Sequence, residues 1–122
     1  MANTKKKRTT KFKADEYRLP DIPSELWTPL GLIPITKVEG LAGDNGDKAC
    51  GMWLNGLREV KIAQHMHPIA DWQTVGHELA HVILHDAGAQ LDEKQEEAVC
   101  DAFGSYIAAF VLNGGTFPFG GV

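Results

Sequence analysis

The feature that most constrains this chain is the segment His77-Glu78-Leu79-Ala80-His81, which lies inside a stretch of helical periodicity. Residues four positions apart lie one above the other on the same face of an α-helix. Two imidazoles at this spacing can therefore bind a single metal ion, as zinc sites require. Glu78 lies about 100° around the helix from His77 and can reach a metal-activated water without binding the metal. The motif predicts a catalytic zinc centre with Glu78 as the general base.

Two helices are predicted in the second half of the chain. The first covers residues 71–85, where apolar side chains recur at helical spacing. The second begins at Asp92, whose spacing to Gln95 is typical of a capping box, and ends near Leu112, before Asn113 and two glycines. Because the connecting loop is short, we expect the two helices to be antiparallel.

A catalytic zinc site needs a third protein ligand, and counting along the two helices predicts it. If the first helix ends near Asp86, His81 lies five residues before that end, and Glu97 lies five residues after Asp92. At ~1.5 Å per residue, Glu97 therefore returns to the level of His81, and Asp101 lies opposite His77. We predict that Glu97 is the third zinc ligand and that Asp101 supports a ligand histidine from the outer shell.

The choice among the downstream acids stays open at this point. Glu96 is an alternative ligand, because helix boundaries predicted from sequence shift by several residues. If Glu97 points toward the metal, Glu96 points about 100° elsewhere, and we expect its replacement by alanine to have little effect. A bond from Asp101 to zinc would instead require a longer loop between the helices.

Three further histidines and two cysteines are weaker candidates for the metal. His85 lies a full turn beyond His81, so we place it at the rim of the site. His65 and His67 lie in a loop before the helix, where the geometry for one shared metal is poorer. Cys50 and Cys100 are too few for a disulfide framework, and we expect both to be small buried residues in a reducing cytoplasm.

A small sheet is predicted before the metal-binding helix. Residues 24–30 are expected to form a short helical piece, and residues 32–38 a first strand. Residues 49–54 and 57–63 should form a hairpin, because the Asn55-Gly56 dipeptide between them is typical of a type I′ turn.

Charge divides the chain into a basic start and an acidic remainder. Residues 1–20 carry seven of the 12 basic side chains and only two of the 16 acidic ones. We expect a disordered basic tail at 1–20, a single domain at 21–115 and a flexible tail at 116–122. The basic tail could bind nucleic acid, but a solubilising role is the favoured interpretation. No apolar run is long enough for a membrane span, so no membrane partner is expected.

The second half of the chain resembles a known group of proteins. The run at residues 74–85, followed by Glu96-Glu97-Ala98 and Phe103, is similar to the compact zincin-like metallopeptidases of the ImmA/IrrE type. It also resembles small peptidase-like domains of phages and mobile elements, including those related to the antirestriction protein ArdC. The resemblance covers roughly residues 30–112.

This resemblance implies a minimal zincin-like α+β fold, with a small antiparallel or mixed sheet packed on the active-site helix and a following antiparallel helix. It also implies His77 and His81 as ligands, an acidic ligand downstream and Glu78 as the base. One departure concerns the usual Glu-x-x-x-Ala-Asn-like run, which here reads Glu97-Ala98-Val99-Cys100-Asp101. That departure leaves open which acid binds the metal.

Together these observations predict a zinc metalloendopeptidase with a glutamate as third ligand, as in gluzincins, acting on a protein or peptide substrate. Tyr106 is a candidate for stabilising the oxyanion, and otherwise a core residue. The alternative is a regulatory or binding module that keeps a zincin scaffold and acts on a protein or nucleic-acid partner without proteolysis. The intact Glu78 argues against it, because a purely structural metal would not need a base.

Overall fold

The computed structural model describes residues 19–43 and 46–115. Within these residues the chain forms β1 (Glu25–Thr28), β2 (Gly31–Val38), β3 (Gly51–Leu54), β4 (Glu59–Ala63), α1 (Pro68–Asp86) and α2 (Glu93–Leu112). The predicted C-terminal tail and almost all of the predicted basic tail lie outside the described residues, so the domain boundaries stay predictions. Among the described helices, none is both long and apolar enough to cross a membrane.

The four strands form one mixed sheet in the order β1-β2-β4-β3. β1 pairs with β2 and β3 with β4 in antiparallel fashion, whereas β2 and β4 are parallel. β3 is therefore an edge strand, and it is the strand nearest the candidate site described below. The predicted α+β class, with a small mixed sheet before two helices, is confirmed.

The helical piece predicted at residues 24–30 is wrong, because this segment forms β1 and its turn. Glu25 to Thr28 alternate between exposed and half-buried side chains, which is the period of a strand. Leu26 packs against the core, and the strand pairs with β2 through close contacts at Thr28 and Gly31. Tertiary pairing overrides the capping signal of Ser24.

The predicted hairpin is confirmed, but its turn type is wrong. Leu54 pairs with Glu59, so the loop contains four residues rather than two. The left-handed conformation falls on Arg58, with φ of 49°, and not on the Asn55-Gly56 dipeptide. Arg58 donates two hydrogen bonds to Asp86 at the end of α1, at 2.8 and 3.0 Å. This long-range contact, absent from any local pattern, holds the loop in its observed form.

The hydrophobic core lies between the sheet and one face of α1. Side chains of β2 and β4 contribute most of it and pack on two valines of α1, with the buried members being Ile33, Ile35, Val60, Ile62, Val75 and Val82. The β2 and β4 residues alternate inward along their strands, as expected for a sheet with one covered face. This packing fixes the rotation of α1 about its axis.

The opposite side of α1 packs on α2, and the two helices are antiparallel. The predicted capping box is confirmed, since the Gln95 amide donates to the Asp92 carboxylate at 2.8 Å and the Asp92 amide donates to the Gln95 side chain at 3.2 Å. A Cβ atom at Gly76 would lie 2.8 Å from the Cα of Gly104. The backbones therefore touch at this level, and side chains one turn farther along can meet across the interface.

Candidate metal centre

Three of the predicted site residues meet between α1 and α2. The Nε2 atoms of His77 and His81 both face the carboxylate of Glu97, at 3.3 Å from Oε1 and 3.0 Å from Oε2 respectively. The two imidazole rings lie edge to face with their centroids 4.9 Å apart. Two ring nitrogens and one carboxylate therefore point toward a common position.

The second nitrogen of each imidazole faces a different carboxylate. The Nδ1 atom of His77 lies 2.8 Å from Asp101 Oδ1, and that of His81 lies 2.6 Å from Glu96 Oε2. A carboxylate on the far nitrogen fixes the tautomer and orientation of a metal-binding histidine. Glu97 therefore faces the Nε2 atoms of both histidines, whereas Asp101 and Glu96 each face the Nδ1 atom of one.

The contact made by Glu96 corrects the expectation that this residue points away from the site. The Glu96 side chain does lie on another part of the helix surface from Glu97. However, the two nitrogens of an imidazole are on opposite sides of its ring, so His81 reaches both carboxylates. A second acceptor can be predicted from the sequence, because each of the two histidines needs an acceptor for its second ring nitrogen. Asp101 serves only one of them.

Glu78 is buried beside this cluster, with only 6% of its surface exposed. Burial raises the pKa of the Glu78 carboxyl, and the nearby His77 and His81 oppose that rise. Edge strand β3 covers it closely, since a Cβ atom at Gly51 would lie 3.1 Å from Glu78 Cγ and would collide with the Thr74 methyl group. No pattern in the sequence predicts that Gly51 provides this space.

Two clefts open beside the cluster, one toward each end of β3. The first, of about 440 Å³, includes Thr74, His77, Glu78 and Asp101 in its lining. The second, of about 420 Å³, includes Met52, Trp53 and Glu97 together with the two site histidines. His77 and Glu78 line both clefts, so the cluster lies where they meet and is open to a ligand from either side.

The donor set fits a zinc ion. Two imidazole nitrogens and a carboxylate are the donors found in catalytic zinc sites, which keep a further position open. Oxygen or nitrogen atoms of His77, Glu97 and Asp101 all lie within 4.8 Å of one another. The carboxylates of Glu96, Glu97 and Asp101 gather around the two imidazoles. A divalent cation at this position would offset their negative charge.

The Cys100 sulfur also lies within 4.8 Å of a ring nitrogen of His77 and of His81. It is fully buried, as expected for a small apolar residue. Burial and then the surrounding carboxylates raise the pKa of its thiol to about 12, which disfavours the thiolate that metals bind. Cys50, in contrast, is exposed, so the expectation that it is buried is wrong; it precedes β3 at the mouth of the first cleft.

The other candidates lie apart from the cluster. The His85 ring packs edge-on against Trp53, with centroids 6.3 Å apart, and His67 caps α1 by accepting the Ile69 amide at 3.1 Å. His65 adopts a left-handed conformation, with φ of 67°, in the turn before α1. Tyr106 is 76% exposed, so its assignment to the core is wrong. It is also absent from the lining of both clefts beside the site.

A mixed sheet packed on a helix with the His-Glu-x-x-His motif, followed by an antiparallel helix carrying an acidic residue, defines a minimal zincin-like domain. Residues 41–117 match the Peptidase M78 family, described as the IrrE N-terminal-like domain. This match covers more than half of the chain, and the chain belongs to that family. Comparisons with curated proteins and with solved structures found no significant match. The family supports a function of the metallopeptidase type, and the predicted resemblance to the ImmA/IrrE group is confirmed.

Proposed function

We propose that this chain is a zinc-dependent endopeptidase in which His77, His81 and Glu97 hold the metal and Glu78 acts as the general base. The observation that carries the proposal is the convergence of both Nε2 atoms on one Glu97 carboxylate, with the buried Glu78 beside them. When bound, Zn²⁺ lowers the pKa of a water ligand to about 7 and polarises the substrate carbonyl.

The side chains around the metal have separate tasks. Asp101 and Glu96 accept the Nδ1–H of His77 and His81, which keeps each Nε2 free to bind. Glu78 accepts a proton from the attacking water as its oxygen bonds to the carbonyl carbon. It then delivers that proton to the amide nitrogen as the C–N bond breaks. A pKa raised by burial suits this cycle, because a more basic carboxylate takes the proton more readily.

Edge strand β3 supports a peptide as the substrate. Within the part of the chain that the structure describes, it pairs only with β4, so its outer edge offers unpaired backbone groups to an extended segment. Gly51 and Met52 belong to β3, and both also line a cleft beside the metal position. A peptide added to this edge would pass in front of Glu78, and its alternate side chains would enter the two clefts.

We place this activity in the cytoplasm. Cys50 and Cys100 are both unpaired, and one of them is exposed. Free thiols of this kind persist in a reducing compartment.

The test is hydrolysis of dye-quenched casein, an unstructured protein, by the zinc-loaded chain and by Glu78→Gln. We expect Glu78→Gln to keep about one zinc per chain and to lose at least ~100-fold in kcat, because the amide cannot accept the proton. Glu25→Gln is the matched control, since Glu25 is an exposed glutamate on β1 and makes the same change of charge.

Two results would count against the proposal. If Glu78→Gln hydrolyses casein as fast as the unchanged protein, the activity does not come from this site. If the zinc-loaded protein cleaves no peptide bond, while Glu78→Gln keeps the protein's biological activity, the scaffold acts as a binding module instead. Loss of zinc in Glu78→Gln would show that Glu78 is a ligand rather than the base.

A further inference from the structure

The cleft at the N-terminal end of α1 differs in its chemistry from the rest of the site. Besides His77, Glu78 and Asp101, its lining includes the polar side chains of Gln73 and Ser105. Among the described residues that line it, none is a lysine or an arginine. No basic side chain of the described residues therefore balances the negative charge of Asp101 and Glu78 within this cleft.

Asp101 brings an exposed carboxylate to this cleft. Its Oδ1 atom faces His77 Nδ1, and the structure assigns its Oδ2 atom no partner among the described residues. The Asp101 side chain is 73% exposed, so this second oxygen remains available to a ligand. Zinc bound by His77, His81 and Glu97 would add two positive charges beside the four carboxylates of Glu78, Glu96, Glu97 and Asp101, so the site would keep a net negative charge.

The cleft at the other end of β3 offers a different environment. Met52 and Trp53 form part of its lining, and of its two carboxylates Glu78 is shared with the first cleft and Glu97 faces the two imidazoles. Under the proposed function, an extended peptide along β3 would therefore meet a carboxylate that does not bind the metal, Asp101, on one side of the reacting bond and a carboxylate that does, Glu97, on the other. Such asymmetry is what gives a hydrolase a preferred side chain at one position.

We propose that the cleft lined by Asp101 and Ser105 selects a lysine or arginine side chain of the substrate peptide. The proposal rests on the proposed function, since it concerns the same site, and it names Asp101 and Ser105 as specificity-determining residues. The flexible stem of a basic side chain can pass Gln73 and bring its cation to Asp101. An aspartate or glutamate side chain would meet like charge there, so selection comes from repulsion as well as attraction.

The test measures binding rather than turnover, using the zinc-loaded Glu78→Gln protein, which does not consume the probe. Two fluorescein-labelled decapeptides of alanine, serine and glycine are compared, identical except for one central lysine or glutamate. We expect the lysine peptide to bind about tenfold more tightly by fluorescence anisotropy, the size expected for one partly exposed charge pair with the opposite repulsion. The ratio should shrink as salt is added.

Ser105 provides the decisive variant, because it is exposed and Asp101 also supports His77. Ser105→Lys, made in the Glu78→Gln protein, should abolish or reverse the preference without loss of zinc. Gln90→Lys adds the same charge at an exposed position in the loop between the helices, and should keep the ratio within about twofold of its original value.

Equal binding of the two peptides, or a preference that Ser105→Lys leaves unchanged, would overturn the proposal. These outcomes are distinct from failure of the proposed function. If the zinc-loaded unchanged protein cleaves neither peptide nor casein, the peptidase assignment fails, and the binding ratio still decides whether this cleft selects a cation.

Discussion

Helix α1 has two faces that are stabilised in different ways. Toward the sheet, Val75 and Val82 pack on Ile62 and its neighbours, and each of these side chains is almost completely buried. Toward α2, the same helix presents His77 and His81 to a group of carboxylates. The first face is complete as it stands, because apolar side chains need only each other. The second gathers carboxylates whose negative charge a divalent cation would offset.

The difference shows how a small domain can carry a reactive site. The sheet face supplies the free energy that holds α1 in place, and it requires no ligand. The helix–helix face is held by backbone contact at Gly76 and Gly104, which needs no favourable side-chain packing at the cluster itself. The cluster can therefore be arranged for metal binding and not for the stability of the metal-free chain.

The largest effect should come from removing a proposed ligand on the helix–helix face. His81→Ala should weaken zinc affinity by more than ~100-fold, beyond the range for losing an outer-shell partner, and hydrolysis should disappear with the metal. The metal-free variant should still fold, because the sheet face is unchanged. Zinc titration and circular dichroism measure the two effects, and unfolding of the metal-free variant would show that the two faces are not separable.

The opposite pattern is expected on the sheet face. Ile62 is completely buried, so Ile62→Ala should lower the free energy of unfolding by about 2–5 kcal/mol. Urea unfolding of the metal-free protein measures this loss. The zinc affinity of the molecules that remain folded should stay within about twofold, because Ile62 belongs to the apolar cluster between the sheet and α1, which contains none of the proposed ligands. A loss of zinc affinity as large as that of His81→Ala would contradict the comparison.

The helix–helix face was also the part that sequence predicted best. The His77 and His81 spacing, the Asp92 capping box and the short loop set the level of Glu97 by counting alone, and the structure places Glu97 between the two imidazoles. All of these are regular, local features of helices. Helical periodicity and capping residues are sufficient to predict which side chains face each other where both contacting segments are helices.

The sheet side was predicted less well, because its details depend on distant contacts. β1 takes its strand conformation from pairing with β2, which outweighs the local capping signal of Ser24. The hairpin loop takes its form from the ion pair between Arg58 and Asp86, 28 residues apart. A hydrogen bond from Arg58 holds the pKa of Asp86 below its usual range. Such partners have no signature in the neighbouring residues.

A smaller effect should distinguish the two acids in the first turn of α2. Glu96 contacts His81 Nδ1 at 2.6 Å, so Glu96→Ala should weaken zinc affinity by ~10–100-fold without removing a direct ligand. Glu93→Ala is the matched control, because Glu93 lies in the same turn and has the same favourable position at the helix N-terminus. Competitive zinc titration compares the two. Equal affinities for both variants would mean that the Glu96 contact is dispensable.

The smallest effect concerns the cost of keeping Glu78 in the metal-free protein. Burial raises the pKa of Glu78 in the folded state, so above the pKa of an unfolded glutamate the ionised carboxylate lowers stability relative to a neutral side chain. Glu78→Gln should therefore raise the melting temperature of the metal-free protein at pH 7. The gain should shrink as the pH falls toward about 4.3, where the unfolded glutamate is itself half protonated.

Melting curves of the metal-free unchanged protein and of Glu78→Gln, recorded from pH 4.5 to pH 7.5, measure this difference, because all other titrating groups are common to both. A variant that is less stable at pH 7, or a difference that does not change with pH, would show that Glu78 contributes to the fold. In that case the helix–helix face would be stable without its metal, and the contrast with the sheet face would not hold.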